Sequence, residues 1–332
     1  MGGPEAISTV PGVDMSDLSN RKHEISQQLL QAAEGIGFFY VTGHGLPQED
    51  IDAAFAMSAK YNNLPEEIRA RHVKDKSNAA YILGWSERRV SAGRLTHGML
   101  MGLDNPRMEG LWPTEEECPG FKKHMLEFMH KAAKPMDPDA IDCQTAMYCN
   151  HYPSWERKAY REGTLRRIAH TDFEVLTLLF QRQGETGLEV CAGKDTTPKE
   201  AMQSGLWVPC DPVAGAITVN IGDALQYWSD GRLKSTFHRV RMPRKDEYQG
   251  DRYSLAYFAN ARATTLFQGP QKKYPPITFS EILAQKKKYR KSFMKLGEDE
   301  MTDEEYFNFQ KNTAIGPEFD IAANAAALQP AV

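Results

Sequence analysis

The clearest chemical potential lies in His170 and Asp172, two positions apart at the head of the apolar run HTDFEVLTLL. On an extended segment, residues i and i+2 project from one face, so an imidazole and a carboxylate can converge on one ion. Alone, such a pair also suits a polar cap on a buried strand. Of the nine histidines, however, only His170 has a carboxylate two residues on. His238, in LKSTFHRVRMP, is the best third ligand, because it lies in another strand-like segment that a folded β core can bring opposite. Two imidazoles and one carboxylate on one side of an ion leave coordination positions open, which suits a non-haem Fe(II) oxygenase. Zinc takes the same three groups, and a zinc hydrolase is the competing reading. Farther along, Arg252 and Ser254 in RYS share one strand face. A guanidinium fork and a neighbouring hydroxyl fit the distal carboxylate of a dicarboxylic 2-oxo acid. The plain alternative for Arg252 is a surface ion pair with Asp251 or Glu247.

These residues need a scaffold that holds strands face to face. The first part of the chain reads as helical: Ile25, Leu29, Ala32, Ala33 and Ile36 fall on one stripe of RKHEISQQLLQAAEGI. GFFYVTGHGLP reads as a short buried strand closed by a glycine-rich turn. Pro47 opens a second helix with Ile51, Ala54 and Phe55 facing inward. GFKKHMLEFMHKAA forms a third, with Phe121, Met125, Phe128 and Met129 at helical intervals. From about Ala140, short Val-, Leu-, Thr- and aromatic-rich runs follow one another between Gly, Pro and Asp: TAMYCN, VLTLLF, GLEVC, LWVPC, AITVN, LQYW and YSLAYF. That pattern predicts an all-β sandwich or barrel. Helix-like sequence returns after about Ile277. The division expected is a helical region over 1–139, a β core over 140–276, and a C-terminal helix and tail over 277–332.

Composition narrows the function classes. A formal charge of −4 over 332 residues offers no basic surface for nucleic acid. The one dense basic run, KKKYRK at 286–291, reads as a solvated helix face. Five cysteines without a CxxC or zinc-like spacing read as reduced thiols. The N-terminal stretch lacks the apolar core of a signal peptide, Ala6 stands where a myristoylation site needs Ser or Thr, and no stretch approaches a membrane span. A soluble, cytoplasmic protein is expected, and the sequence leaves its oligomeric state open.

The order of motifs adds a resemblance. NHYP (150–153), HTDF and LTLLFQ (170–181), GLEV (187–190), NIGDALQYWSDGRLKSTFHRV (220–240) and RYSLAYF (252–258) resemble, in sequence and spacing, the isopenicillin N synthase-like family of Fe(II)/2-oxoglutarate-dependent dioxygenases. GFFYVTGHGLP and NLPEE are similar to that family's N-terminal part. The resemblance spans roughly residues 8–290. It implies a mixed α and β fold: a distorted double-stranded β-helix (jelly roll) core with an N-terminal helical layer and a C-terminal helix. It further implies His170, Asp172 and His238 as iron ligands, Arg252 with Ser254 as the 2-oxoglutarate clamp, and Asn150 and Tyr152 near that cosubstrate. The implied reaction uses O2 to oxidise, by default to hydroxylate, a small organic molecule, with release of succinate and CO2. Secondary metabolism is a frequent setting for such enzymes.

Other readings remain beside it: an oxidase of the same fold that dispenses with 2-oxoglutarate, and a metal-free pseudoenzyme serving as a binding module. Asn220, Gly222 and Asp223 read as turn chemistry, and SDGR as a hairpin turn before the strand of His238. Substrate-side candidates are Tyr81, Phe173, Glu174 and Phe258, with Trp85 either in the pocket or in a packed aromatic patch. Glu174 stands where family members usually carry Gly. Its backbone is strained if it needs positive φ, and its carboxylate either meets substrate or, on the favoured expectation, is solvated. The segment HKAAKPMDPDA is shorter than its counterpart in relatives. WSERRVSAGRLTHGMLMG lies where they place a substrate-side loop.

Overall fold

The computed structural model describes residues 9–73, 83–90, 93–132, 144–154, 164–192 and 207–284. Tyr81, the KKKYRK run and most of the HKAAKPMDPDA segment lie outside the described residues. The N-terminal elements are β1 (Gly12–Asp14), α1 (Leu18–Glu34), β2 (Phe38–Thr42), α2 (Gln48–Asn62), α3 (Glu66–Arg69), β3 (Gly84–Val90), β4 (Gly93–Gly102) and α4 (Phe121–Ala132). The core strands follow as β5 (Ala146–Tyr152), β6 (Leu165–His170), β7 (Leu176–Gln181), β8 (Leu188–Cys191), β9 (Trp207–Pro209) and β10 (Ile217–Ile221). After a short helix, Asp223–Trp228, come β11 (His238–Arg241), β12 (Arg252–Ala259), β13 (Leu266–Phe267) and β14 (Ile277–Thr278).

Two facing sheets make the jelly roll. The major sheet has eight strands in the order β1-β2-β10-β7-β12-β5-β4-β3, and the minor sheet four in the order β6-β11-β8-β9. The non-consecutive neighbours are what a sandwich of Greek-key type produces. Strand alternation sorts the major sheet into two faces. Trp85, Met99, Met101, Met147, Cys149, Leu255 and Tyr257 are all buried and join one cluster with Ala54, Phe55, Phe121, Met125, Phe128 and Met129 of the helices. The helical layer therefore packs on the outer face. The inner face, turned toward the minor sheet, carries Tyr148, Asn150, Tyr152, Arg252, Ser254 and Phe258, as the register pairs Tyr152↔Arg252 and Ser254↔Asn150 require.

The helices fall where periodicity places them, with Ile25, Ala32, Ala33, Ile36, Ile51, Ala54 and Phe55 buried. Pro47 is the N-cap of α2, one position before its first helical residue. Six of the seven expected core runs are strands. LQYW is the exception and belongs to the helix Asp223–Trp228. Four residues cannot distinguish a period of two from one of 3.6. What decides is tertiary: Ala224 and Tyr227, three apart, pack with Phe267, Phe279 and Ile282. SDGR accordingly follows a helix and is not a hairpin turn between two strands, although Asp230 and Gly231 do adopt left-handed φ of 55° and 79°. The N-terminal third contributes more than helices. β1 and β2 extend one end of the major sheet, and WSERRVSAGRLTHGMLMG is the β3–β4 hairpin that closes its other end. A helix begins at 279 and continues to 284, where the described residues end.

Candidate metal and cosubstrate site

His170 is the last residue of β6 and His238 the first of β11, and the two are register partners across the minor sheet. Their rings lie 4.2 Å apart, centroid to centroid. Asp172 follows β6 in an irregular segment, so it converges on the histidines from beyond the strand rather than along it. Asp172 Oδ1 stands 3.8 Å from His170 Nε2 and 3.6 Å from His238 Nε2. Both separations exceed a hydrogen bond. One ligand atom from each residue falls within a mutual 4.8 Å.

Outer partners fix the direction each ligand faces. His238 Nδ1 donates to the Thr236 carbonyl at 3.2 Å, which leaves the Nε2 lone pair directed at Asp172. Asp172 Oδ2 accepts from Thr177 Oγ1 at 2.6 Å and from Asn220 Nδ2 at 2.9 Å, which leaves Oδ1 for the centre. Burial alone would raise the Asp172 pKa. His238 and His170, with Thr177 and Asn220, outweigh it and hold the carboxyl below its usual value. A carboxylate oxygen and two imidazole nitrogens thus converge across gaps too wide to bond. A cation between them fills that spacing, and a set of two nitrogens and one oxygen with an open side fits Fe(II).

Sequence reading does not assign Thr177 or Asn220 to this site. Asn220 reads there as turn chemistry, yet it lies within β10 and orients the central carboxylate. Asp223 contributes similarly, with its N–H on the Asp172 carbonyl at 2.8 Å and its carboxylate accepting from Thr171. Gly222 keeps its structural role. A Cβ there would lie 1.9 Å from the Glu174 carbonyl oxygen, so only glycine lets this loop close over Asp172.

Arg252 is 2% exposed at the start of β12. Its Nε donates to the Glu185 carbonyl at 3.2 Å and its Nη2 to Gln181 Oε1 at 2.9 Å. Its Nη1 is buried with no partner among the described residues. The Tyr152 ring lies against the guanidinium at 5.0 Å. Ser254, two residues on, faces the same way beside Asn150 and Gln181. The surface ion pair offered as the alternative for Arg252 is not made: Asp251 bonds to His151 and Ser154, and Glu247 to Arg241. A buried guanidinium with an unused donor beside a hydroxyl has the chemistry to take a carboxylate.

The substrate-side candidates separate. Phe173 and Phe258 are half-buried, Phe258 on the inner face opposite Thr177. Glu174 is 4% exposed, against the expectation of a solvated carboxylate. It is absent from the positive-φ residues, so the missing glycine brings no left-handed strain. Trp85 is buried in the outer cluster beneath the helices, with Arg69 over its ring at 5.5 Å, and belongs to a packed aromatic patch.

Comparison with known proteins agrees with this geometry. The family described as the 2OG-Fe(II) oxygenase superfamily matches residues 142–261, and that described as non-haem dioxygenase in morphine synthesis N-terminal matches residues 10–114. A proline hydroxylase (buaE) of Petromyces alliaceus is 31% identical over 284 residues, covering 75% of this chain and 86% of that protein. A 2-oxoglutarate-dependent dioxygenase (frbA) of Dothideomycetidae sp. (strain 11243) is 26% identical, covering 75% and 85%. Among solved structures, a Neurospora crassa protein in complex with alpha-KG and thymine superposes with a TM-score of 0.72 at 23% identity, covering 86% of this chain and 98% of that one. A rice dioxygenase for auxin oxidation gives 0.63 at 22% identity, covering 88% and 97%. The ligand geometry, the jelly roll and these relatives converge: the chain belongs to the 2OG-Fe(II) oxygenase superfamily and is a dioxygenase that oxidises a small molecule with Fe(II), 2-oxoglutarate and O2.

Proposed function

We propose that the chain is an isopenicillin N synthase-like hydroxylase of a small organic molecule, acting in secondary metabolism in the cytoplasm. His170, Asp172 and His238 hold Fe(II), and Arg252 and Ser254 hold the distal carboxylate of 2-oxoglutarate. The observation that carries this reading is the buried Arg252 with its unused Nη1 on the inner face. A 2-oxoglutarate-independent oxidase or a zinc hydrolase has use for such a group only where its own substrate carries a carboxylate. Hydroxylation is supported by relatives whose names describe hydroxylases, among them the proline hydroxylase and a feruloyl CoA ortho-hydroxylase of Ipomoea batatas.

When bound, Fe(II) with 2-oxoglutarate and O2 supplies the oxidation of a substrate C–H bond to C–OH, while 2-oxoglutarate becomes succinate and CO2. The chain supplies position and environment. Thr177 and Asn220 hold one oxygen of Asp172 so that the other faces the centre. Gln181 and the Glu185 carbonyl aim the Arg252 fork, and Tyr152 covers its face. Asn150 stands beside Ser254 on the cosubstrate side. Phe173, Phe258 and the buried Glu174 stand on the substrate side.

No helix among the described residues is long and apolar enough to cross a membrane. The test is succinate formation from 2-oxoglutarate by the Fe(II)-loaded protein in air, across a panel of candidate substrates. Succinate release stimulated by a substrate supports the reading. Substrate oxidation that proceeds without 2-oxoglutarate establishes the oxidase instead.

A further inference from the structure

Residues 182–187 carry the chain from β7 in the major sheet to β8 in the minor one. Both partners of the Arg252 guanidinium belong to this connection: Gln181 Oε1 at the end of β7 and the Glu185 carbonyl within the turn. A guanidinium is planar, so holding its Nε and Nη2 also fixes the direction of Nη1. The aim of Arg252 therefore depends on where the turn places the Glu185 carbonyl.

The Glu185 side chain sets that place. β7 and β12 pair as far as Gln181↔Ser254, and one residue beyond, the Tyr253 N–H donates to Glu185 Oε2 at 2.6 Å. The carboxylate thus takes over where the ladder stops. Its other oxygen pairs with Arg182 Nη1 at 3.1 Å, and the Arg182 guanidinium lies over the Tyr253 ring at 5.9 Å. One residue consequently holds two successive positions of β12: its carboxylate holds the Tyr253 backbone, and its carbonyl holds the Arg252 side chain. At the far end of the turn, the Gly187 carbonyl accepts from the Arg241 N–H of β11 at 2.9 Å.

Glu185 is 6% exposed. Burial raises its pKa, and the Tyr253 N–H with the charges of Arg182, Arg252 and Arg166 offsets this only in part. A carboxyl raised in the folded state is one whose ionisation opposes folding, so at neutral pH this charge works against stability. A buried charge kept against its own desolvation, two bonds from the cosubstrate residues, points to a task in the site.

We infer that Glu185 is a positioning residue for cosubstrate binding: its carboxylate fastens the β7–β8 turn to β12, so that its carbonyl turns Arg252 Nη1 toward the carboxylate of 2-oxoglutarate. Glu185 acts through Arg252 and has no contact of its own with cosubstrate or metal. The inference rests on the assignment of Arg252 to the cosubstrate.

The test measures equilibrium binding of 2-oxoglutarate to full-length protein loaded with Fe(II) under argon, with Fe(II) affinity and melting temperature recorded in parallel. Glu185→Ala removes both grips of the carboxylate and is expected to weaken 2-oxoglutarate binding about 10-fold or more, with Fe(II) affinity unchanged. Glu185→Gln keeps the shape but accepts through one atom only. It is expected to weaken binding about 3-fold or more while melting no lower than wild type. The decisive arm is Glu185→Ala in an Arg252→Ala background, where the further loss should be less than about 3-fold because the two residues act as one unit.

Undiminished affinity in Glu185→Ala overturns the inference. So does a loss in the Arg252→Ala background as large as in wild type, or an equal fall in Fe(II) affinity, since Glu185 then supports the fold at large. A Gln variant that melts lower yet binds 2-oxoglutarate normally overturns it as well. Glu185→Gln carries the same cycle with Arg252→Ala if the Ala variant does not fold. Arg252→Ala alone binding 2-oxoglutarate as wild type does would sink the cosubstrate assignment itself, an outcome distinct from a failure at Glu185.

Discussion

Arg252 and Asp172 show how a buried charge becomes useful when its neighbours hold it incompletely. Arg252 has two of its three nitrogens committed and one open. Arg252→Lys keeps the charge but loses the planar fork, so half-saturation by 2-oxoglutarate should rise. Arg252→Ala should raise it roughly 30-fold or more, about 2 kcal/mol, as expected when one partner of a buried charged pair is removed. Fe(II) affinity should change little in either variant, and titrating each component separately checks this. Asp172 has one oxygen saturated by Thr177 and Asn220 and the other turned to the centre. Thr177→Val removes the shorter of those bonds with little change in shape. Supporting bonds of this kind are worth on the order of 10- to 100-fold in metal affinity, and an anaerobic Fe(II) titration of the variant should show a loss in that range. Unchanged affinity would mean that Thr177 does not orient the ligand.

At the scale of elements, the site depends on two joints. The first is the close approach of the loop before the helix Asp223–Trp228 to the segment after β6. The Gly222 φ of −101° is one any residue adopts, so the objection to a side chain there is steric alone. With the Glu174 carbonyl oxygen 1.9 Å from where an alanine Cβ would sit, Gly222→Ala must push the two segments apart. A loss of on the order of 2–4 kcal/mol is expected, read as a lower denaturant midpoint. The second joint secures β11, the strand of His238. Arg239 and Arg241 bond Glu189 on β8, and Arg241 grips Glu247 through two bonds of 2.6 Å. Those bonds from Arg241 are the main cause of the Glu247 pKa falling to about 2. A carboxylate depressed in the folded state stabilises fully above its unfolded pKa of about 4.3, and that contribution is lost as pH falls toward 2. For this partly solvated pair it should amount to on the order of 1 kcal/mol. Glu247→Gln should therefore lower the melting temperature at pH 7 and flatten its decline between about pH 4.5 and 2.

Legibility in the sequence followed the range of the interaction. Stripes such as Ile51, Ala54 and Phe55 are local, and they marked their helix correctly. The HxD pair and its distant histidine were legible because chemistry restricts which residue types can hold an ion. Thr177 and Asn220 were not, since a threonine and an asparagine in apolar strands look like ordinary β residues until β7 and β10 are laid side by side. Burial of Glu174 is likewise not local: its backbone lies against Gly222, far along the chain. The β3–β4 hairpin escaped because its place in the resemblance marks it as a substrate-side loop, and only pairing with β5 makes it part of the sheet.

For the molecule as a whole, the jelly roll separates two tasks. The outer face of the major sheet packs an apolar layer under the helices, and the inner face carries the polar groups of the site. His170 and His238 come from the minor sheet, while the residues that orient Asp172 and those assigned to the cosubstrate come from the major sheet. Metal binding should accordingly link the two sheets. A saturating divalent ion that binds only the folded state, at about 100 times its Kd, should stabilise by about 2.7 kcal/mol. Chelation should reverse the gain without unfolding the protein.

The central claim is that His170, Asp172 and His238 form one metal site serving a 2-oxoglutarate-dependent oxidation. The most direct measurement is anaerobic Fe(II) binding, with 2-oxoglutarate turnover to succinate in air, for wild type and for His170→Ala, Asp172→Ala and His238→Ala. Wild type should bind Fe(II) and form succinate. Each variant should remain folded, bind Fe(II) far more weakly, and form almost no succinate. Near-normal binding and turnover in all three variants with saturating iron would contradict the account.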